Sequence, residues 1–453
     1  MLDPALTFCF YLASVIWLLI IGGFGVLSIK ENEPRATRIS FFAACLGALI
    51  FIMLAITPLT VNTVGFAALL TAGAILLILF LMPLKTVSRT RETPHQRFDE
   101  RDIVLSRWRL GPGTPEHEAY YKMRPENKAA DDLTRAKPGL SSPDSLFANP
   151  LLCTAADASF SLVGSLVNAV DGPAAETRFD LPIEKMTAYI KGLARYYGAL
   201  DVGITELKPY QLYSHAGRSP APYGSVIESQ HKYAIPVSVE MDYDMVAPNP
   251  TSPGSMETAK QYVEVARVAI QLANAIRLMG YPARAHIEAN YQVICTLVAQ
   301  DAGLGEIGRM GLVITPHHGP RVRLAAVTTS LDLLTDTRRD GSAVIDFCTV
   351  CKKCALNCPS QSIPFGDRQE IEDALRWRIN ADTCIRYWMT AGTDCGRCLT
   401  VCPYSHPNNF YHNIVRQGIE RSAFFRRAAN AMDDMLYGKK PARRNAPKWL
   451  DLS

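Results

Sequence analysis

The chain has 453 residues, 48% of them hydrophobic, and its 47 basic and 43 acidic side chains leave a formal net charge of +4 at pH 7. This net charge is mild, and no nucleic-acid partner across the whole molecule is expected. The length allows two or three domains, and the hydrophobic residues are concentrated at the amino terminus.

Residues 1–84 predict a membrane anchor of three transmembrane helices. No charge occurs from Pro4 to Ile29, which is long enough for one crossing. Residues 39–84 are uncharged and would make about 69 Å of helix at ~1.5 Å per residue, twice a bilayer core of ~30 Å. Residues 39–84 are therefore expected to form two spans. We expect the turn between them at 57–62, where Pro and Asn interrupt the apolar run. A cleaved signal peptide is the alternative for the first span, but no basic segment or twin-arginine pair precedes it.

Basic residues predict the orientation of these spans. The loop from Lys30 to Arg38 carries three of them, the next turn carries none, and more follow the third span. Because basic loops stay in the cytoplasm, we expect everything after Leu84 to face the cytoplasm from the inner membrane. The basic residues after the third span are Lys85, Arg89, Arg91, Arg97 and Arg101.

Two regions separate the spans from the cysteine-rich segment. Residues 85–180 are polar and rich in proline, so we expect an extended wrapping region with little periodic structure. A disordered linker is the alternative, although Trp108, Tyr120 and Tyr121 favour packing. Residues 181–340 have the pattern of an α/β domain. Its predicted elements are a helix at 183–199, strands at 201–207 and 233–241, a helix at about 257–279 with Ser255 as N-cap and Gly280 as its stop, and a strand from 321.

Residues 341–410 contain eight of the twelve cysteines. The first run has the spacing C-x2-C-x2-C-x3-C-P, in which three cysteines wrap one iron–sulfur cube and the fourth reaches its neighbour. The second run ends in the same way, and we take Cys384 as its displaced first ligand. The crossover rule then predicts two sets of ligands. The first set is Cys348, Cys351, Cys354 and Cys402, and the second set is Cys358, Cys384, Cys395 and Cys398.

Disulfide bonds and zinc are the alternatives for these cysteines. Disulfides fit poorly, because the remaining cysteines are scattered and Cys9 and Cys45 lie in the apolar segments. Zinc is held by paired C-x2-C knuckles and does not explain three cysteines at two-residue gaps before Cys-Pro. We therefore expect a ferredoxin-like module with two 4Fe-4S clusters. The basic tail at 411–453 is either a solvated helix face or a segment that lies against the anionic inner leaflet.

A glycine-rich segment before the cysteines is the candidate site for the group that receives the electrons. Gly303, Gly305 and Gly308 would let the backbone approach a large planar or phosphate-bearing ligand, and Thr315 is a further candidate contact. A simple turn is the alternative explanation of such glycines. The sequence has no G-x-G-x-x-G after a strand and no phosphate-binding loop, so nicotinamide binding and nucleotide hydrolysis have no motif support.

Several stretches together resemble the reductive dehalogenases, a cobalamin-dependent family with two 4Fe-4S clusters. They are RFDERDIVLSRWRLGPGTPEHEAYY, VEMDYDMVAP, AGLGEIGRMGLVITPHHGPRVRLAAVTTSLDL and the paired cysteine runs. The match covers about residues 95–410 in the family's order. A weaker similarity, from AGLGEIG through the first cysteine run, extends to the epoxyqueuosine reductases.

The resemblance implies a nitroreductase-like α+β core that binds cobalamin in its base-off form. In agreement, the chain has no Asp-x-His-x-x-Gly, the motif that places a histidine under cobalt in other cobalamin enzymes. The family also implies a tyrosine proton donor beside a cation, and the matching positions are Tyr243 and Arg309. A surface role for Tyr243 and an ion pair of Arg309 with Glu306 or Asp301 are the alternatives.

These expectations add up to a membrane-anchored reductive dehalogenase for a halogenated, aromatic organic compound. The first alternative is a cobalamin-dependent reductase of an unhalogenated substrate, related to the epoxyqueuosine reductases. The second is a membrane-bound ferredoxin that only carries electrons, for which the region before the cysteines is too large. Self-sufficient family members carry a reductase domain after the clusters, so we expect an external donor here: a ferredoxin, a flavoprotein or a membrane carrier.

Overall fold

The computed structural model describes residues 4–81, 94, 96–218 and 220–451. The helices are α1 (Pro4–Lys30), α2 (Pro34–Ala55), α3 (Leu59–Leu81), α4 (Val104–Trp108), α5 (Pro115–Met123), α6 (Lys128–Arg135), α7 (Pro150–Leu166), α8 (Ile183–Tyr196), α9 (Tyr243–Val246), α10 (Ser252–Leu278), α11 (Cys295–Asp301), α12 (Ser342–Cys351), α13 (Lys353–Leu356), α14 (Ala381–Ala391), α15 (Arg397–Thr400), α16 (Phe410–Arg421) and α17 (Ala423–Tyr437). The strands are β1 (Asp201–Val202), β2 (Thr205–Glu206), β3 (Tyr233–Glu240), β4 (Ala283–His286), β5 (Glu306–Ile307), β6 (Val313–Ile314), β7 (Val322–Thr329), β8 (Gln369–Ile371) and β9 (Ala374–Arg376).

The chain forms two compact units that do not follow its order. The first unit contains α1, α2 and α3 together with α16 and α17 from the other end of the chain. The second unit contains α4 to α15 and the nine strands listed above.

Three helices of the first unit are long and apolar enough to cross a membrane: Pro4–Lys30, Pro34–Ala55 and Thr63–Phe80. The turn between the second and third occupies residues 56–58, shorter than the predicted 57–62, because Pro58 directly precedes α3 and Asn62 is already helical. The basic residues Lys85, Arg89 and Arg91 lie outside the described residues.

The basic tail forms two helices that pack on these apolar helices. The Tyr411 hydroxyl donates to the carbonyl of Ile20 at 3.0 Å. The Phe80 and Phe425 rings meet edge to face, with centroids 5.1 Å apart. Most of the tail is therefore part of a folded helical unit.

An antiparallel sheet lies at the centre of the second unit. Its strand order is β1-β3-β7-β4, and β2 also pairs with β3. Strands β3 and β7 pair along their whole length, from Tyr233 opposite Thr329 to Glu240 opposite Val322. Since every pairing in this described sheet is antiparallel, the core is α+β, and the parallel sheet of a strict α/β domain does not apply.

Helix α10 covers one face of this sheet. It buries Val265, Leu272 and Ile276 against Ile235 and Val237 of β3, in one hydrophobic core. Each such side chain contributes ~1.5–3 kcal/mol relative to exposure. The helix begins at Ser252, five residues before the predicted start, because Pro253 occupies its first turn. Ser255 does not cap it, and the Ser255 hydroxyl donates to Asp394 at 2.8 Å.

The expectation of little periodic structure between 96 and 180 is wrong for the described residues. Helices α4 to α7 occupy much of this region. Pro115 and Pro150 open α5 and α7 rather than breaking them, and the side chains of Thr114 and Asn149 accept hydrogen bonds from the first-turn backbone amides.

Candidate functional site

Four thiols of the cysteine module form a first group. Burial raises the pKa of Cys402 well above its usual value, and the charges of Cys348, Cys351 and Cys354 raise that pKa further. Such mutual influence requires the four sulfurs to lie close together. Because Cys402 is distant in sequence from the other three, the fold has brought the end of the second run to the start of the first.

The other four thiols form a second group. Burial raises the pKa of Cys398, and the charges of Cys395, of Cys354 from the first group, and of Cys384 and Cys358 add to that rise. Cys358 differs, because hydrogen bonds from Ser360 and from backbone amides outweigh its burial and lower its pKa. These bonds favour the thiolate, which is the form that binds iron. Cys384, chosen as the displaced ligand, lies in this group.

The arrangement of these thiols differs from a single-ion site. Among residues 4–81, 94, 96–218 and 220–451, no three His, Cys, Asp or Glu side chains are placed to hold one metal ion. A zinc knuckle would gather its sulfurs around one point, whereas the ligands of a four-iron cube stand at its separate corners. The donor set is all thiol, which fits an iron–sulfur cluster.

Arg309 follows β5 and contacts the loop of the first cysteine run. Its Nε donates to the carbonyl of Cys348 at 3.0 Å, and its Nη1 donates to the carbonyls of Pro364 and Gly366 at 2.7 and 2.6 Å. Its guanidinium also lies 4.4 Å from the centre of the Trp377 ring. Burial lowers the pKa of this arginine. These contacts give Arg309 a structural role beside the first thiol group, and they do not join it to Tyr243.

Tyr243 is half-buried at the start of α9. The cation beside it is Arg321, whose guanidinium lies 5.4 Å from the centre of the ring. Arg321 is itself buried and donates to the carbonyls of Ser405 and Met241 and to Glu240. The structure therefore brings Arg321, rather than Arg309, to the predicted tyrosine.

The predicted cofactor-contacting glycines pack against the chain itself. A Cβ atom at Gly303 would lie 2.7 Å from the carbonyl oxygen of Thr337. At Gly305 and Gly308 it would collide with Ile314. The hydroxyl of Thr315 donates to the carbonyl of Gly319 at 3.0 Å and closes a short loop. These three glycines therefore allow close packing within the protein.

That loop nevertheless offers groups to a ligand. His318 and Arg321 both contact Glu240, at 3.3 and 3.0 Å. His318 Nδ1 and Arg321 Nη2 are buried without a protein partner. A buried polar group without a partner costs ~1–3 kcal/mol, so these two atoms are candidates for hydrogen bonds to the polar groups of a ligand.

A second cluster, which we call the tyrosine pocket, lies within the core. Arg218 pairs with Glu288 at 3.7 Å and lies 5.8 Å from the centre of the Tyr291 ring. Glu288 also acts on the pKa of Tyr213, Tyr262, Tyr291 and Cys295, so all of these groups are close together. The tyrosine pocket consists of Tyr213, Arg218, Tyr262, Glu288, Tyr291, Cys295 and Arg323.

Side chains of this pocket are only partly covered. Burial is the largest cause of the raised pKa of Tyr262, about 12, and of Cys295, also about 12. Both residues nevertheless keep some accessible surface. A partly covered cluster of polar and aromatic side chains is a candidate site for a small molecule.

Arg323 connects this pocket to the second thiol group. Its guanidinium lies 5.0 Å from the centre of the Tyr262 ring, donates to Thr258 at 2.7 Å and pairs with Asp394 at 3.6 Å. Asp394 is the residue before Cys395. The charge of Arg323 opposes the rise in the pKa of Tyr262, because it stabilises the phenolate.

Sequence reasoning missed this pocket, although two signals were present. Thr258 and Tyr262 are four residues apart on the inner face of α10. The same face also carries alanine and valine residues. Arg323 is a charged residue within a buried strand, and a charge in such a place usually has a partner.

Three comparisons with known proteins found similar proteins. Residues 347–406 match the family described as a 4Fe-4S dicluster domain. The tetrachloroethene reductive dehalogenase of Sulfurospirillum multivorans is 34% identical over 294 residues, which are 57% of this chain and 58% of that protein. The solved structure of the catabolic reductive dehalogenase NpRdhA superimposes with a TM-score of 0.63 at 25% identity, over 78% of this chain and 49% of that chain.

The epoxyqueuosine reductase of Listeria monocytogenes is a weaker match, 26% identical over 178 residues, which are 33% of this chain and 43% of that protein. The chain spans about half the length of the relatives that it matches. The resemblance to reductive dehalogenases and the presence of a 4Fe-4S module are confirmed by these matches.

Proposed function

We propose that this chain, a relative of the reductive dehalogenases by sequence and by fold, is a membrane-anchored reductive dehalogenase. In the proposed reaction a carbon–halogen bond breaks, two electrons and one proton are taken up, a carbon–hydrogen bond forms and halide leaves. One observation carries the proposal: in the half-buried pair of Tyr262 and Arg323, the arginine also forms an ion pair with Asp394, the residue before Cys395.

The cofactors in this proposal are two 4Fe-4S clusters and a base-off cobalamin. The first and second thiol groups would each hold one cluster and pass electrons singly. The cobalamin supplies, when bound, the metal at which the carbon–halogen bond is reduced. In this chain, cobalamin binding is supported by two buried nitrogens without a protein partner, one on His318 and one on Arg321.

We assign the proton to Tyr262 in place of Tyr243. The raised pKa of Tyr262, about 12, keeps its hydroxyl protonated at neutral pH, and Arg323 stabilises the phenolate that forms when the proton leaves. Tyr243 begins a short helix between the exposed Asp242 and Asp244, where water competes as a proton source.

Halide release tests the assignment. The purified protein, loaded with iron and cobalamin and reduced by a viologen, is assayed against a panel of halophenols and haloalkenes. Tyr262→Phe keeps the ring and removes the hydroxyl, so turnover should fall ~10²–10⁴-fold. Tyr291→Phe is the matched control from the same pocket, because its hydroxyl is engaged with the Leu324 carbonyl at 3.3 Å.

Tyr243→Phe separates the two assignments. We expect it to retain most of the wild-type turnover, with unchanged iron and corrinoid content. A large loss in Tyr243→Phe with little loss in Tyr262→Phe would restore the original assignment. Wild-type protein that holds both cofactors and releases no halide from the panel would contradict the proposed activity itself.

The partners follow from the same proposal. The substrate is a halogenated small molecule, expected to be aromatic because three tyrosine rings border the pocket. The electrons come from an external donor, and the catalytic part faces the cytoplasm from the inner membrane. A ferredoxin that only carried electrons would have no use for the tyrosine pocket, which favours the enzyme.

A further inference from the structure

Helix α17 leaves large apolar side chains exposed. Phe424, Met432 and Met435 are exposed and lie at helical spacing on one side. The buried side contains Arg426 and Asp433 next to three apolar side chains. A helix on the surface of a soluble protein usually keeps its exposed side polar.

Helix α16 also exposes apolar side chains in its first turns. Phe410 and Ile414 are exposed, Phe410 by 71%, while His412 and Arg416 are buried. His412 contacts the carboxylate of Glu31 at 3.1 Å, within the first unit. The exposed apolar side chains of the two helices remain to be explained.

Helices α16 and α17 pack against the membrane-crossing helices α1 and α2. The Tyr411 hydroxyl bonds to the Ile20 carbonyl, ten residues before the basic end of α1 at Lys30, a distance of about 15 Å along the helix. Arg35 at the start of α2 donates to the carbonyl of Met435 at 2.8 Å. Both contacts lie in the halves of α1 and α2 that are nearer the basic loop, so α16 and α17 pack beside this end of the spans.

Exposed cations accompany the apolar face. On α16 and α17 and in the residues after them, basic side chains outnumber acidic ones at exposed positions. Acyl chains accept the aromatic and methionine side chains, and anionic headgroups attract the cations. The exposed cations are Arg421, Arg427, Lys439, Lys440 and Arg443.

We propose that α16 and α17 form an interfacial membrane element, with Phe424, Met432 and Met435 among the acyl chains and the neighbouring cations among anionic headgroups. The occupant of this face is lipid. The anchor is then five helices, three that cross the bilayer and two that lie in one of its surfaces.

Photo-crosslinking of the full-length protein identifies the occupant. Nanodiscs contain phosphatidylcholine and phosphatidylglycerol in equal parts, and p-benzoylphenylalanine replaces Phe424 or Met435, which are 45% and 51% exposed. Phe42 on α2, 70% exposed, is the control for a lipid-facing site, and Tyr196 on α8, 84% exposed, is the control for the second unit. Adducts are identified by mass spectrometry.

Lipid adducts at positions 424 and 435 should reach within about threefold of the yield at Phe42, and roughly tenfold above that at Tyr196, as expected for a face buried in the interface. Phosphatidylglycerol should be enriched among them. Crosslinks to a second copy of the chain, or no adduct where Phe42 gives one, would overturn the proposal. Adducts formed equally with the two lipids would contradict the proposed attraction of the cations to anionic headgroups.

Discussion

Arg309, Arg321 and Arg323 are close in sequence and have different roles in the second unit. Arg309 braces the first cysteine loop, Arg321 lies beside Tyr243, and Arg323 links Tyr262 to Asp394. The family match pointed to Arg309 as the cation of the active site. Only the pairing of β7 with its neighbours decides which guanidinium meets which ring, and that pairing depends on contacts distant in sequence.

The cysteines are the opposite case, because their spacing predicted their grouping, apart from the displaced Cys384. A loop with two-residue gaps can wrap one cube, and its fourth cysteine then reaches the next. The same spacing could not identify the tyrosine pocket, since Tyr213, Tyr262 and Tyr291 come from separate parts of the chain.

Cys384 provides the test of the second thiol group at the level of one residue. Cys384→Ala removes one thiol of four, so iron content should fall toward one cluster's worth. Cys295→Ala is the control, because Cys295 belongs to the tyrosine pocket and its loss should leave iron content unchanged. Iron content is measured on the purified protein after reconstitution.

Two outcomes would count against this assignment. Full iron retention in Cys384→Ala would remove Cys384 from the ligand set. Loss of iron in Cys295→Ala would show that the pocket thiol takes part in binding the metal.

At the scale of elements, the periodicity of the sequence predicted the long, regular helices and strands. The three apolar spans, strands β3 and β7 and helix α10 each have a long, regular pattern, and each was located to within a few residues. Helices α4 to α7 were missed because they are mostly short and because proline at a helix start resembles proline in a loop. The return of α16 and α17 to the apolar helices depends on contacts with the other end of the chain, which no local pattern reports.

A substitution at Gly23 of α1 tests the packing of α16 against the apolar helices. A Cβ atom there would lie 2.6 Å from the Tyr411 hydroxyl. Gly23→Leu should therefore displace Tyr411 and loosen α16. Limited trypsin digestion in nanodiscs should then cut at the exposed Arg421 and Arg427 roughly tenfold faster, as expected for a locally opened element.

Gly22→Leu is the matched control, because nothing lies within 4 Å of a Cβ atom at Gly22. It adds the same side chain one position away and should leave the digestion rate at the wild-type level. Equal rates in all three proteins would mean that Tyr411 does not hold α16 in place.

At the scale of the whole molecule, the orientation in the membrane is the main prediction. Lys30, Arg35 and Arg38 lie at one end of the first two spans, and basic ends stay in the cytoplasm. Alkaline phosphatase fused after Leu84 should be inactive, and a fluorescent protein fused at the same point should be bright. The reverse pattern would contradict the proposed orientation.

The first unit is interrupted in sequence by the second, and this governs the order in which a ribosome completes them. Helices α1 to α3 leave the ribosome first, and residues 88–407 follow before α16 and α17 exist. At ~5–20 residues per second, that interval is on the order of half a minute. During translation the surface of α1 around Gly23 is thus open to lipid or to a chaperone until Tyr411 arrives, and a chain truncated after Cys402 would never cover it.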